Sequence, residues 1–262
     1  FAIFLLQMTV GFASPVLGRW LDVYSVRLLV VVGALATGMG LLLLSQVTAF
    51  WQVLVIHMTL LPVGMVLCGT LASQTIVSKW FSENRGVAIG VSAAGTSLGG
   101  FVFPLITAEL IALYNWQTTL IFLALLAFLL LVPVNLWVLR AMPPPARTPK
   151  PGAEDHIDAR VWTDREILTT RMFWIPVVAL MPMNAAFGGV QFNLGAYVSD
   201  LGLEQGFAAQ LIAITSLGMI VGKFVFGWLG DSVDHRKIYW GMALSLACAM
   251  GLYLGEPGLN EL

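Results

Sequence analysis

The chain has 262 residues and a formal net charge of −1, with 58% hydrophobic and only 10% charged residues. Soluble globular proteins contain roughly 45–50% apolar and about 25% charged residues, so the composition excludes an ordinary water-soluble fold. The near-zero net charge gives no sign of a nucleic-acid partner. The two cysteines, Cys68 and Cys248, lie in apolar blocks without a CxxC or His-rich neighbour, so we expect no disulfide, no metal and no cofactor.

The apolar residues form blocks long enough for helices that cross a hydrocarbon core of about 30 Å. We predict eight transmembrane helices, in chain order at 1–17, 28–47, 51–77, 86–113, 116–139, 172–198, 207–229 and 238–254. The segment before the sixth helix is rich in proline and mixed charge and is typical of a linker. Because the chain begins inside an apolar run and stops soon after another, we interpret it as a fragment.

The basic residues divide the connections between these helices into two classes. All but one of the 13 Lys and Arg residues fall in the odd-numbered connections. Since cytoplasmic loops carry an excess of Lys and Arg, we predict that these connections are cytoplasmic in a multi-pass protein of the cell membrane. The remaining basic residue, Lys223, lies inside the seventh predicted helix.

Two of the predicted cytoplasmic connections share the pattern Gly-x-x-x-Asp-x-x-x-x-Arg. Its members are Gly18, Asp22 and Arg27 in the first copy and Gly227, Asp231 and Arg236 in the second. Such a repeat predicts two similar halves, as in transporters whose substrate site lies near mid-membrane between parallel repeats. An Asp near a helix C-terminus opposes the helix dipole and needs a compensating partner, so each Asp is a candidate for a conformational latch.

The paired loops resemble the signature motif of the major facilitator superfamily, G-x-x-x-D-R-x-G-R-R/K, between helices 2 and 3 and between helices 8 and 9. Both copies lack the Arg after the Asp. The resemblance implies an all-α membrane protein of the major facilitator fold, with about eight of an expected twelve transmembrane helices. It assigns 1–140 to the N-terminal half without helix 1, 141–170 to a cytoplasmic linker, and 171–262 to the start of the C-terminal half.

A second stretch resembles the helix 5 motif of the monocarboxylate/oxalate porter family, Y-F-x-K-R-R-x-L-A-x-G-x-A-x-A-G. The matching residues are Phe81, Arg85, Ala88, Gly90, Ala94 and Gly95. Small residues at spacings of three and four predict a face for close helix packing. We place Gly86, Gly90, Ala94 and Ser97 on this face, with Gly95 and Gly99 alongside.

Lys223 is the leading candidate for substrate binding. A charge deep in a span usually faces a cavity or a partner, although a Lys stem can also reach back to the interface. Lys223 stands four residues before Gly227, where the resemblance implies an Arg that pairs with the substrate carboxylate. Further candidates share helical faces at a spacing of seven, and polar residues of this kind also serve as glue between helices. They are Ser216, with Lys223, and Asn184 with Gln191.

The resemblance implies a secondary transporter that carries a small organic anion, a monocarboxylate by expectation, through alternating access and with proton coupling. The alternative is a permease or exporter for another small solute, such as a sugar, a drug or an inorganic anion. No HExxH pattern and no Ser/His/Asp constellation favours an enzyme, so we expect none. The expected partners are the substrate, protons and the lipid bilayer, with a monomer as the transport unit.

Overall fold

The computed structural model of the chain describes residues 1–81, 85–138, 164–200, 202 and 205–254. Within these ranges every regular element is helical. The helices are α1 (Ala2–Val23), α2 (Val26–Leu44), α3 (Phe50–Met58), α4 (Leu60–Cys68), α5 (Thr70–Trp80), α6 (Arg85–Leu113), α7 (Trp116–Leu126), α8 (Val132–Val138), α9 (Asp164–Thr169), α10 (Arg171–Asp200), α11 (Gln205–Ser232) and α12 (His235–Leu254). The predicted linker, 141–170, lies outside the described residues as far as 163.

Seven helical stretches of the described chain are long and apolar enough to cross a membrane. They are Ala2–Val23, Val26–Leu44, Phe50–Ser78, Gly86–Leu113, Trp116–Trp137, Arg171–Asp200 and Gly206–Gly230. These stretches fall on the first seven predicted spans. The eighth predicted span is also helical, as α12, but it is not among the seven. Because α12 opens with three basic residues, its apolar part, 238–254, has the shortest length that spans a bilayer, about 17 residues.

Two of the spans are not single regular helices. The third is interrupted at Thr59 and Gly69, which separate α3, α4 and α5. Pro62 has no N–H to donate to the carbonyl four residues earlier and its ring crowds that carbonyl, which accounts for the break at Thr59. The fifth span contains a π-helical turn, Ala127–Leu131, between α7 and α8. Pro133 follows it and leaves the carbonyl of Leu129, inside that turn, without its usual donor.

Contacts group the chain into two compact units, and the first contains α1 to α8 together with α11. Its hydrophobic core joins α1 to the next helices. The members of this core are Leu17, Leu21, Val30, Val66, Leu67 and Ala72. Away from this core, α11 packs along α6, and this pairing assigns α11 to the first unit.

The second unit contains α9, α10 and α12. Within it, the hydroxyl of Tyr239 on α12 donates to the carbonyl of Ala179 on α10 at 3.2 Å. The indole N–H of Trp174 donates to the carbonyl of Leu168 at 2.7 Å and joins the start of α10 to α9. The predicted halves rest on the sequence repeat rather than on packing, and they stay a prediction.

Large apolar side chains lie on the outside of these helices. Phe12, Leu129 and Met181 are 76%, 75% and 70% exposed. Exposing so much apolar surface to water costs free energy, whereas contact with the apolar chains of lipids does not. The structure therefore agrees with the predicted all-α membrane protein.

Candidate substrate site

The ammonium group of Lys223 is bound to α6 by three hydrogen bonds. Its Nζ donates to the backbone carbonyl of Ala93 at 2.8 Å, to the Thr96 hydroxyl at 2.8 Å and to the Ser97 hydroxyl at 2.7 Å. The Lys223 side chain is half-buried, and Ser97 is only 1% exposed. Each of these three partners is an uncharged oxygen atom, so they solvate the positive charge but do not neutralise it.

Small residues let α6 approach α11 closely enough for these bonds. A Cβ built on Gly90 would lie 2.7 Å from the carbonyl oxygen of Lys223, and one built on Gly227 would lie 3.3 Å from the Cα of Gly90. Cβ atoms essentially never come as close as the first distance, so glycine is required at position 90. The close approach of the two backbones positions Lys223 over the hydroxyl groups of α6.

The packing face of α6 differs in part from the predicted face. Gly90 and Ser97 face α11, as predicted from their spacing. The prediction for Gly95 and Gly99 is wrong: among the described residues nothing lies within 4 Å of a Cβ built on Gly95, and the nearest atom to one on Gly99 belongs to Phe103 of the same helix. At about 100° per residue, the face that contains Gly90 and Ser97 turns both glycines away from α11.

Ser216 lies on the same face of α11 as Lys223, at the other end of the contact with α6. It is fully buried, and a Cβ built on Gly100 would lie 2.7 Å from its Oγ. Among the described residues its hydroxyl has no hydrogen-bond partner. The structure thus places Ser216 and Lys223 along one helix pair, while a contact of Ser216 with substrate stays a prediction.

Asn184 and Gln191 lie on α10 in the second unit. The amide of Asn184 donates to the carbonyl of Leu180, one turn earlier in its own helix, at 2.9 Å, and its side chain is exposed. Gln191 is half-buried. Their assignment to the substrate site therefore also stays a prediction.

The two copies of the loop motif have the same helix boundaries. In the first, Gly18 and Asp22 lie in the last turns of α1 and Arg27 in the first turn of α2. In the second, Gly227 and Asp231 lie in the last turns of α11 and Arg236 in the first turn of α12. The backbone N–H of Arg236 donates to the Asp234 carboxylate at 2.9 Å, so Asp234 caps α12.

The two motif glycines differ in their surroundings. A Cβ on Gly18 would meet only Leu71, at an ordinary 3.7 Å, whereas one on Gly227 would meet the backbone of α6 at 3.1 Å. Gly227 therefore serves the helix contact as well as the motif. Arg85, from the helix 5 motif, is the first residue of α6.

Thr96 and Ala93 were not predicted as parts of this site, and Ser97 was predicted only as a small packing residue. Their partner is more than 120 residues away along the chain, so no local pattern indicates the contact. The sequence offered one indication, because the stretch of small residues on α6 also carries hydroxyl side chains, and Lys223 is an isolated cation within another span. Among the described residues, no group of three or more His, Cys, Asp or Glu side chains could hold a metal ion.

Curated relatives of the chain are transporters. MFS-type transporter 1 of Ophiocordyceps sp. (strain BCC 1869) is 29% identical over 95% of this chain and 54% of its own length. Monocarboxylate transporter 13 of Bos taurus is 27% identical over 87% of this chain and 50% of its own. Agnestins efflux protein AgnL12 of Paecilomyces divaricatus is 24% identical over 87% and 50%. The chain thus spans about half the length of these relatives.

The family assignment rests on a match over nearly the whole sequence. The family model described as Major Facilitator Superfamily matches residues 1–261. The paired loop motif, the seven apolar helices and the named relatives agree with it. The chain therefore belongs to the Major Facilitator Superfamily.

Proposed function

We propose that the chain is part of a secondary transporter that carries a small organic anion, a monocarboxylate, across the membrane by alternating access. The observation that carries this proposal is the environment of Lys223. A cation lies inside a membrane span, and its described partners are three uncharged oxygens. A buried charge without a counter-ion is costly, and a substrate carboxylate would supply that counter-ion.

The similarity to monocarboxylate transporter 13 supports this substrate class. So does the position of Lys223 four residues before Gly227, which matches the carboxylate-binding position implied by the porter family. An ammonium group lacks the planar fork of a guanidinium group and selects carboxylate geometry less strictly. We therefore expect several small carboxylates to be accepted.

The remaining parts of the proposal follow the family. The transporter is a proton symporter of the cell membrane with a monomeric transport unit and a cytoplasmic linker at 141–170. Ser216, Asn184 and Gln191 are further substrate-binding residues of this proposal. The loops at Asp22 and Asp231 act as latches between the halves. We propose no catalytic chemistry.

Uptake of radiolabelled pyruvate, lactate and oxalate tests this function. The whole protein is reconstituted in proteoliposomes, with and without an inward proton gradient. We expect saturable uptake of at least one acid and faster uptake with the gradient. An absence of uptake for all three acids would contradict the substrate class, and a lack of response to the gradient would contradict proton coupling.

Variants of Lys223 show whether carboxylate uptake depends on the positive charge of this residue. Lys223→Gln should abolish uptake because it removes the positive charge that pairs with the substrate carboxylate. Lys223→Arg keeps this charge and should retain measurable uptake. Lys237→Gln is the matched control, since it removes the same charge from the exposed first turn of α12. Uptake by Lys223→Gln at the level of the control would contradict the role of Lys223.

A second candidate is export of another small solute. Two observations favour it: the name of the agnestins efflux protein, and the complete hydrogen bonding of Lys223 to α6, which suits a purely structural role. This candidate predicts that Lys223→Gln leaves transport intact. It also predicts solute accumulation in inside-out vesicles that does not compete with carboxylates.

A further inference from the structure

All the donor capacity of Lys223 is in use on α6. An ammonium group has three N–H donors, and its three acceptors are Ala93, Thr96 and Ser97. A carboxylate that binds this ammonium must therefore displace at least one of these oxygens. The same oxygens hold α11 against α6, so substrate binding and helix packing compete for one group.

The hydroxyl of Thr96 is an acceptor in this arrangement. Its own proton is donated to the carbonyl of Ala93 at 2.7 Å, so its lone pairs point to the Lys223 ammonium. An oxygen that presents lone pairs repels a carboxylate rather than binding it. Ser97 accepts from the same ammonium and is almost fully buried. Both hydroxyls thus compete with an anion for the cation.

We propose that Thr96 and Ser97 are positioning residues that hold the ammonium of Lys223 on α6, and that a substrate carboxylate draws it off and loosens α6 from α11. This inference rests on the proposed function for the identity of the anion. The hydroxyls act only through Lys223 and lower the affinity for carboxylate. Substrate binding then has a direct mechanical consequence, because it removes at least one of the polar bonds that join the two helices.

The first test is carboxylate affinity. Lactate binding to the purified whole protein is measured for Thr96→Val and Ser97→Ala, which remove one acceptor each with little change in volume. Loss of a competing hydrogen bond should tighten lactate binding about tenfold in each variant. Thr96→Ser keeps the hydroxyl at an exposed position and should retain the parent affinity.

Ser92→Ala is the matched control, since Ser92 lies on α6 but hydrogen-bonds to Ser73 instead of Lys223. It should bind lactate as the parent does. General damage to the fold weakens binding and does not tighten it, so a gain in affinity separates the proposed role from a merely structural one. Weaker or unchanged lactate binding in Thr96→Val and Ser97→Ala would overturn the proposal.

The second test measures the helix contact without requiring substrate. A Cβ on Gly100 would lie 3.5 Å from the Cβ of Ser216, within the about 3.5–4.5 Å that disulfides span. The pair Gly100→Cys and Ser216→Cys, in a protein with every other cysteine changed to Ala, Cys68 and Cys248 among them, should therefore cross-link rapidly under mild oxidation. Lys223→Gln in this background should slow the cross-link several-fold, and saturating lactate should slow it in the background with Lys223 retained.

The two effects have different meanings. If Lys223→Gln cross-links as fast as the background with Lys223 retained, the ammonium does not hold the helices and the proposal is overturned. If Lys223→Gln slows the cross-link but lactate has no effect, the contact of Lys223 with α6 is supported. In that case, with lactate binding to the double-cysteine protein measured in parallel, the release by carboxylate is overturned, while the substrate class is decided separately by the uptake experiment.

Discussion

Gly90 and Gly227 face each other across the contact between α6 and α11, where a Cβ on Gly227 would lie 3.3 Å from the Cα of Gly90. In a membrane, lipid chains are as apolar as Leu, so helices associate through close packing and polar bonds rather than through hydrophobic burial. The glycine contact and the hydrogen bonds of Lys223 lie on the same face. The glycine contact brings the two helices close enough for the hydrogen bonds of Lys223, and these bonds in turn hold the helices together.

Alanine at either glycine should destabilise the protein. Gly90→Ala and Gly227→Ala force a methyl group against the facing backbone, and overpacking of this kind costs about 1–3 kcal/mol. The measurement is thermal unfolding of the detergent-solubilised whole protein. Gly95→Ala and Gly18→Ala are the controls, since Cβ atoms at these positions meet nothing closer than 3.7 Å. Equal melting temperatures for all four variants would contradict the packing argument.

Alanine substitutions at the two buried serines of this helix pair should differ in their effect on the free energy of unfolding. Ser97→Ala removes an acceptor of Lys223 and should lower the free energy of unfolding by about 1–3 kcal/mol. Ser216→Ala removes a buried hydroxyl that has no partner among the described residues, so it should be neutral or stabilising by up to about 1 kcal/mol. Substrate-free unfolding of both variants in detergent checks this. A large loss for Ser216→Ala would show that its hydroxyl is bonded.

The start of α7 should depend on Asn115. Its side-chain oxygen accepts from the backbone N–H of Thr118 at 2.7 Å and caps the helix. Asn115→Ala should cost about 1 kcal/mol, while Asn115→Asp keeps the acceptor and should cost little. Hydrogen exchange of the first turn of α7 measures the effect locally. Unchanged exchange in Asn115→Ala would contradict the capping role.

The sidedness of the loops can be tested by labelling. Tyr24→Cys and Tyr114→Cys place thiols at exposed positions in the first and the fourth connection, one odd-numbered and one even-numbered. With every other cysteine changed to Ala, Cys68 and Cys248 among them, a membrane-impermeant maleimide should label Tyr114→Cys on intact cells and Tyr24→Cys only after permeabilisation. This follows because basic residues flank the loops retained in the cytoplasm. The reverse pattern would contradict the predicted orientation.

Hydropathy was sufficient for seven of the eight predicted spans because a run of about 20 apolar residues has few other structures available in a bilayer. It did not show the interruptions at Thr59 and Gly69, since neither changes the mean apolarity of the third span. Pro62 and Pro133 were visible in the sequence, but their positions alone do not determine whether a helix kinks, breaks or widens. Local backbone geometry is therefore the part of the fold that composition predicts least.

The sequence predicted the part of the candidate site on α11 but not its partners on α6. The isolated charge of Lys223 stands out in any reading of the seventh span, and its face follows from helical spacing. Thr96 is exposed on α6 and has no distinctive spacing, so only the register of α6 against α11 reveals it as a partner. Gly227 was assigned to the loop motif because the motif explained it completely. Its contact with α6 adds a second constraint that the repeat alone does not contain.

The pairing of α6 with α11 also sets an order of events during synthesis. Ser97 and Lys223 are 126 residues apart. At about 5–20 residues per second, the ribosome takes roughly 6 to 25 s to make the intervening chain. During that interval the Thr96 hydroxyl can keep its bond to the Ala93 carbonyl within α6, while the Ser97 hydroxyl lacks Lys223 as its donor. A nascent chain arrested before Lys223 would leave the face of α6 that carries Thr96 and Ser97 without its partner helix.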